Sequence, residues 1–196
     1  MNNYELINDL QDKYKEGYLQ IINKTQVNPW ASHQYVLVHI LHTVLNGNVF
    51  EFGMGYHSTV LLNHITKKQN RKLYSVDSDI EWLNKFLYLS NKNHIIEEFN
   101  INNLMPTYDK VLELNCSIAF IDCKPGELRQ VMINLLKDKI PYIIVHDTEE
   151  IVYKSLRNGY GYDFSGFKFI YHFKGASATT TLLSNMLLDN NAISIF

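Results

Sequence analysis

The chain has 196 residues, of which 46% are hydrophobic and 19% charged, and its formal net charge is −2. This length and balance are typical of one folded domain and exclude an intrinsically disordered chain. They also give no support to a nucleic-acid partner bound through a broad basic face. The sequence shows no signal peptide and no apolar run of membrane-spanning length, so we expect a cytoplasmic protein without a membrane partner.

The apolar pattern predicts helices and strands that alternate along the chain. Spacings of three and four residues predict one helix over residues 3–24 and a second from Ser32, its N-cap, to near Gly47. Later strands are predicted at NVFEF, KLYSVD, HIIEEF, SIAFID and YIIVHD, and helices at STVLLNHITKK, IEWLNKFLYLSN, GELRQVMINLLKDK and TEEIVYKSL. FKFIYHF and TTTLLSN predict one or two further strands.

This alternation predicts an α/β fold with a Rossmann-like, doubly wound and mainly parallel sheet. We expect a single domain over residues 1–196, with an N-terminal helical segment, 1–47, and an α/β core, 48–196. Ligands of such sheets bind beyond the carboxyl ends of the strands. The motifs that follow fall at those ends.

The clearest functional signal is the turn EFGMG, which follows the first core strand and precedes a helix. Gly53 and Gly55 allow a sharp turn and a close ligand, and the amides that open the helix offer hydrogen-bond donors. Ser58 replaces the third glycine of a dinucleotide-binding turn, and Glu51 faces the place of a phosphate, so a pyrophosphate is disfavoured. Asp77 ends the next strand, where a carboxylate can accept from both hydroxyls of a ribose.

At these residues the sequence resembles the class I S-adenosylmethionine-dependent methyltransferases. EFGMG is similar to that family's first motif, whose acid and glycines border the methionine end of the cofactor, and Asp77 matches its ribose-binding acid. PWASHQ, EFGMGYHST, IDCKPGELR, VHDTE and TTTLLSN together resemble a group of small bacterial and viral methyltransferase-like proteins. The resemblance implies the class I methyltransferase fold and S-adenosylmethionine as the cofactor. The expected cofactor-binding residues are Ser32, His33, Glu51, Gly53, Met54, Gly55, His57, Ser58, Asp77, Ser78 and Asp122.

The acceptor half of the site is expected at the ends of the fourth and fifth strands. Asp122 follows the fourth strand, and His146 and Asp147 follow the fifth. An ionisable group directly after a buried strand is costly unless it is paired or lies in a cleft, so we expect these three residues to be catalytic. Methyl transfer requires an aligned acceptor and, for a hydroxyl, the removal or masking of its proton. His146 is the natural general base because its pKa lies near neutrality.

Structural roles remain open for the same residues. His146 can be a strand-end hydrogen-bonding histidine, and Asp147 can cap the helix that follows it. Arg129 lies seven residues after Asp122, and a structural salt bridge with one of these acids is its favoured role.

A divalent metal is a further alternative. Catechol-type O-methyltransferases share this fold and hold Mg²⁺ with acids at the ends of the fourth and fifth strands. Asp122 and Asp147 match those positions, and oxygen ligands suit that ion. Thr148 stands where the family has an amide, so the main expectation is no metal, with Asp122 and Asp147 as ligands if Mg²⁺ binds.

The expected function is a methyltransferase that acts on an oxygen or nitrogen atom of a small-molecule or sugar-type acceptor. Two alternatives stay open: a catalytically silent cofactor-binding or interaction protein on the same fold, and an NAD(P)-dependent oxidoreductase. The oligomeric state is open as well, a homodimer included.

Overall fold

The computed structural model describes residue 5 and residues 7–153, 160–176 and 178–196. At its centre lies a seven-stranded sheet in the order β3-β2-β1-β4-β5-β7-β6. The strands are β1 Asn48–Phe52, β2 Leu73–Asp77, β3 His94–Glu98, β4 Cys116–Ile121, β5 Tyr142–Val145, β6 Phe169–Phe173 and β7 Thr180–Ser184. β1 to β5 run parallel, whereas β7 is antiparallel to both β5 and β6. The predicted Rossmann-like, mainly parallel α/β sheet is confirmed.

Helices cover both faces of this sheet. They are α1 Glu16–Ile22, α2 Gln34–Thr43, α3 Thr59–Lys68, α4 Ile80–Asn84, α5 Met105–Glu113, α6 Glu127–Leu136 and α7 Glu149–Tyr153. Neighbouring strand residues point to opposite faces. Val49 accordingly joins the core cluster that includes α2 and α3, while Phe50 joins the cluster that includes α5 and α6. The near-continuous apolar strands of the sequence are therefore explained by burial on both sides.

The N-terminal segment departs from the single helix predicted over residues 3–24. The start of that prediction lies outside the described residues, and a short 3₁₀ turn, Asp12–Tyr14, precedes α1. The side chain of Gln34 accepts a hydrogen bond from the amide of Gly17 at 2.8 Å and donates to the carbonyl of Tyr14. The single-helix prediction is wrong over the described part because this buried side chain takes backbone groups that a continuous helix would pair.

Ser32 does not cap α2. The N-cap position of that helix is His33, and no side-chain hydrogen bond caps it. A 3₁₀ turn, Pro29–Ala31, leads directly into the helix, and the Ser32 hydroxyl donates to the carbonyl of Pro29 at 2.9 Å. The capping prediction is therefore wrong because the hydroxyl serves the preceding turn.

The other predicted elements agree in place but differ in length. The helix predicted at IEWLNKFLYLSN is the short α4 followed by a 3₁₀ turn, Leu87–Leu89. Helix α5 has no counterpart among the predicted elements, and its first turn contains Pro106, which a helix accepts at that position. α7 is the described part of the helix predicted at TEEIVYKSL, whose remainder lies outside the described residues. Among the described residues, no helix is both long enough and apolar enough to cross a bilayer.

Candidate functional site

The turn after β1 is held by a chain of hydrogen bonds that ends at Glu51. The Thr59 hydroxyl donates to Oε1 of Glu51 at 3.0 Å and accepts from the amide of Gly55 at 2.9 Å. Glu51 is fully buried, and its Oε2 has no hydrogen-bond partner in the described part of the chain. Burial raises the pKa of Glu51 to about 7, against the opposing effect of neighbouring hydroxyls. The carboxyl group therefore reaches the glycine turn through Thr59.

Asp77 joins the same turn from the end of β2. Its Oδ2 accepts from the amide of Met54 at 2.8 Å, and its Oδ1 accepts from the amide of Asp79 at 3.0 Å. Burial raises the pKa of Asp77, although these amides oppose the shift. Each carboxylate oxygen has two lone pairs, so both retain the capacity to accept a further donor such as a ribose hydroxyl. The neighbouring acid Asp79 has a different role from Asp77. Its side chain caps α4 by accepting hydrogen bonds from the amides of Glu81 and Trp82.

The two glycines of the turn have different surroundings. Gly53 has φ +98°, and a Cβ added there would lie 2.4 Å from the backbone of Cys123, just past β4. The close approach at Gly53 is therefore to the protein's own chain. A Cβ added at Gly55 would meet only the hydroxyl of Ser58, at 3.4 Å, which is an ordinary contact. The described structure therefore leaves open space beside the backbone at position 55, where a ligand could approach the turn.

Other residues expected to hold the cofactor lie around this turn. Met54 and Ser58 are buried, and the carbonyl of Met54 accepts from the indole of Trp82 at 2.8 Å. His57 is half-buried, and burial lowers its pKa. Its Nδ1 has no hydrogen-bond partner among the described residues. Ser78 donates to the carbonyl of Lys124 at 2.9 Å, which connects the loop after β2 with the loop after β4.

A second polar group occupies the ends of β4 and β5. Nη2 of Arg129 lies 2.7 Å from Oδ1 of Asp122, and Nη1 lies 3.4 Å from Oδ2 of Asp147. The remaining oxygen of each acid faces Nδ1 of His146, at 3.3 Å for Asp122 and 3.4 Å for Asp147. The salt bridge predicted for Arg129 is confirmed, and it links both acids. Tyr162 completes the group by donating to the carbonyl of His146 at 3.1 Å.

The charges of this group stabilise one another. Burial alone would lower the pKa of His146, but the neighbouring Asp122 and Asp147 outweigh it and raise the value. Burial alone would raise the pKa of Asp122, and the positive charges of His146 and Arg129 reverse that effect. Asp122 likewise raises the pKa of Arg129 against the effect of burial. The group therefore places a guanidinium and an imidazole against two carboxyl groups at the edge of the sheet.

Ser32 and His33 reach this group from the segment before α2. The hydroxyl of Ser32 lies 2.8 Å from Nε2 of His146, and because it donates to the Pro29 carbonyl, it accepts from the imidazole. The ring of His33 lies 4.7 Å from the ring of His146, edge to face. Burial lowers the pKa of His33 to about 3, and neither of its ring nitrogens has a hydrogen-bond partner in the described part.

The acid pair named as the ligands if Mg²⁺ binds is already engaged by a cation. Asp122 and Asp147 each give one oxygen to Arg129 and turn the other toward His146. A guanidinium between two carboxylates supplies the positive charge that Mg²⁺ would bring. The structure therefore does not support Mg²⁺ held by these two acids.

Comparison with known proteins identifies the architecture. No protein-family model matches the chain, and no curated protein matches it in sequence. Among solved structures, an O-methyltransferase from Bacillus cereus in complex with SAH superposes with a TM-score of 0.55. The alignment covers 93% of this chain and 96% of that chain at 10% sequence identity. The fold is that of the class I methyltransferases.

In this methyltransferase fold, three residues without an expected role in binding contribute to the site. Thr59 connects the glycine turn to Glu51, Gln34 donates to the carbonyl of His57 at 2.9 Å, and Arg129 joins the two strand-end acids. The sequence carries a signal for Gln34, because a polar residue stands there on the apolar side of a helix. The structure shows that this side chain is fully buried. Thr59 and Arg129 carry no comparable signal, because their partners lie on other elements.

Surface clefts lie elsewhere on the methyltransferase fold. One of about 590 Å³ lies between α1, the start of α2 and the end of β6. Its lining residues are Ile21, Lys24, Thr25, Val27, Tyr35, Phe173, Gly175, Ser194 and Ile195. None of the expected site residues lines it, and it holds no group of facing acids and histidines among the described residues. The strand-end residues are therefore the better candidate site on chemical grounds.

Proposed function

We propose that the protein is an S-adenosylmethionine-dependent methyltransferase that acts on a small-molecule or sugar-type acceptor, at an oxygen or nitrogen atom. The hydrogen bond from the Met54 amide to the Asp77 carboxylate carries this proposal. It makes the glycine turn and the ribose-type acid one unit, at the edge where open α/β sheets bind ligands. The Bacillus cereus neighbour, which has the same fold, is an O-methyltransferase in complex with SAH.

The residues around the turn fit this cofactor. Asp77 can accept the ribose hydroxyls, and Gly55 leaves room for a ligand against the backbone. Further polar atoms are Nδ1 of His57 and both ring nitrogens of His33, which have no hydrogen-bond partner within the described ranges. Glu51 would act on the cofactor through the turn that it organises, because it is fully buried. The cofactor supplies an electrophilic methyl group, and this chain's residues bind and orient the reactants.

Asp122, His146 and Asp147 would serve the acceptor. The side chains of Asp122 and Asp147 are 23% and 22% exposed, whereas that of His146 lies behind them at 4%. This arrangement lets the acids contact an acceptor and lets the group remove or mask the proton that the acceptor loses. The catalytic contribution of such a group is typically about 10²–10⁴-fold.

A transfer assay tests this function. The protein is incubated with S-adenosylmethionine labelled in its methyl group and with panels of hydroxylated small molecules, sugars and amines, and label in the product is counted. The proposal predicts transfer by the wild type and its loss in Asp77→Asn, with Asp79→Asn as the matched control because it replaces a neighbouring acid that caps a helix equally well as asparagine. Cofactor binding without transfer to any panel would favour the catalytically silent alternative.

A further inference from the structure

Three side chains from separate parts of the chain converge beside the proposed acceptor region. His33 precedes α2, Asp122 follows β4, and His146 follows β5. One nitrogen or oxygen atom from each lies within 4.8 Å of the corresponding atoms of the other two. Both histidines are only 3% exposed. Two buried imidazoles and one partly exposed carboxylate therefore face one another.

His33 provides an independent indication that something binds here. Both of its ring nitrogens are buried without a hydrogen-bond partner in the described part of the chain. Leaving a buried polar group unpaired costs about 1–3 kcal/mol, so such groups require an explanation. A ligand that these nitrogens contact would supply the missing interaction.

His146 is arranged as metal-binding histidines usually are. Its Nε2 donates to the hydroxyl of Ser32 at 2.8 Å, and that hydroxyl donates onward to the carbonyl of Pro29 at 2.9 Å. Metal-bound histidines commonly donate their second ring N–H in this way, which fixes the ring and its tautomer. The other nitrogen, Nδ1, faces Asp122. Arg129 holds the second oxygen of that acid at 2.7 Å, as a hydrogen-bonded support for a ligating carboxylate.

The spacing also fits a metal ion. Two ligand atoms that each lie about 2.1 Å from a tetrahedral ion are about 3.4 Å apart. Nδ1 of His146 and Oδ2 of Asp122 are 3.3 Å apart. A nitrogen of His33 lies within 4.8 Å of both, so a shift of about 1.5 Å or less in that side chain would complete three-ligand coordination.

We propose that His33, Asp122 and His146 form a binding site for a divalent transition-metal ion of the zinc, cobalt or iron class. His146 bonds through Nδ1, Asp122 through Oδ2, and the ion displaces the proton on Nδ1. Imidazole ligands suit these ions, whereas Mg²⁺ prefers oxygen. Three protein ligands leave a coordination position open.

Cobalt titration tests the site without any cofactor. The full-length protein is treated with a chelator and titrated with cobalt chloride while visible absorption is recorded. One equivalent of cobalt is expected to produce the intense absorption of a four- or five-coordinate site, and added Zn²⁺ should abolish it. His33→Leu and Asp122→Asn should each weaken binding about tenfold or more, and Ser32→Ala, which removes the acceptor of the Nε2 proton, about 10–100-fold.

His39→Leu is the matched control. His39 is also a histidine of the α2 region, but its Nε2 contacts the carbonyl of Asn191, far along the chain from the three ligands. The absorption of His39→Leu as cobalt is added should equal that of the wild type. Circular dichroism checks folding, and Asp122→Asn carries the test if His33→Leu does not fold. No cobalt absorption in the wild type, or unchanged curves in both ligand variants, would overturn the proposal, whatever a separate titration with SAH shows about the cofactor.

Discussion

Substituting the two glycines of the β1 turn separates a folding requirement from a binding requirement. Gly53→Ala places a methyl group 2.4 Å from the backbone of Cys123 and puts alanine at φ +98°. The backbone strain and the overpacking each cost about 1–3 kcal/mol, so we expect a loss of about 2–6 kcal/mol. Domains are typically stable by about 5–15 kcal/mol, so this loss is large. Gly55→Ala meets only the Ser58 hydroxyl at 3.4 Å and should change stability by less than about 0.5 kcal/mol.

The assay for this pair is urea unfolding followed by the fluorescence of the two tryptophans, together with calorimetric titration with SAH. Gly55→Ala should fold like the wild type and bind SAH about tenfold or more weakly, because its methyl group occupies space next to the ligand. A Gly53→Ala protein within about 1 kcal/mol of the wild type would refute the argument from close backbone approach. Unchanged SAH affinity in Gly55→Ala would refute the placement of the cofactor against this turn.

Three further predictions concern the buried charges. Burial raises the pKa of Glu51 to about 7 from its usual 4.5, so the folded state keeps a proton that the unfolded state loses, and stability falls as the pH rises between these values. Glu51→Gln should remove that fall and be up to about 3 kcal/mol more stable than the wild type at pH 8 in urea unfolding; parallel pH profiles would contradict this. Arg129→Ala removes the guanidinium that pairs with Asp122 and Asp147 and should cost about 3–5 kcal/mol, seen as a lower Tm; an unchanged Tm would show that these ion pairs do not stabilise the fold. His146→Ala should leave SAH affinity within about twofold but slow methyl transfer about 100-fold or more, and unchanged turnover would remove His146 from the mechanism.

Much of the fold could be predicted from local pattern. The buried strands at NVFEF, SIAFID and YIIVHD are short apolar runs bounded by polar residues, and the helices between them follow apolar spacing. Parallel strands place their carboxyl ends at one edge, so the sheet itself brings Asp77, Asp122 and His146 to the same side. The shared location of these candidate site residues therefore follows from topology.

The partners of those residues could not be predicted in the same way. Ser32 has the residue type and position of a helix cap, yet its hydroxyl accepts from His146, which is 114 residues away along the chain. Gln34 interrupts the N-terminal helix through contacts that span two elements. Apolar periodicity reports which face of an element is buried, and it carries no information about which polar groups meet across elements.

The two glycines show the same limit at a single turn. EFGMG predicts a sharp turn with a nearby ligand, and both glycines fit that prediction equally well. Only the packing of the turn against β4 shows that Gly53 is required by the fold and that Gly55 is not. Residue type alone therefore could not assign the two positions.

The most direct test of the central claim is calorimetric titration with SAH of the wild type, Asp77→Asn and Asp79→Asn. The account predicts one binding site in the wild type and in Asp79→Asn, and affinity weakened about tenfold or more in Asp77→Asn, because that variant loses a charged acceptor for the ribose hydroxyls. A folded wild-type protein that does not bind SAH, or an Asp77→Asn protein that binds it as tightly as the wild type, would contradict the cofactor site assigned to the β1 turn and the end of β2.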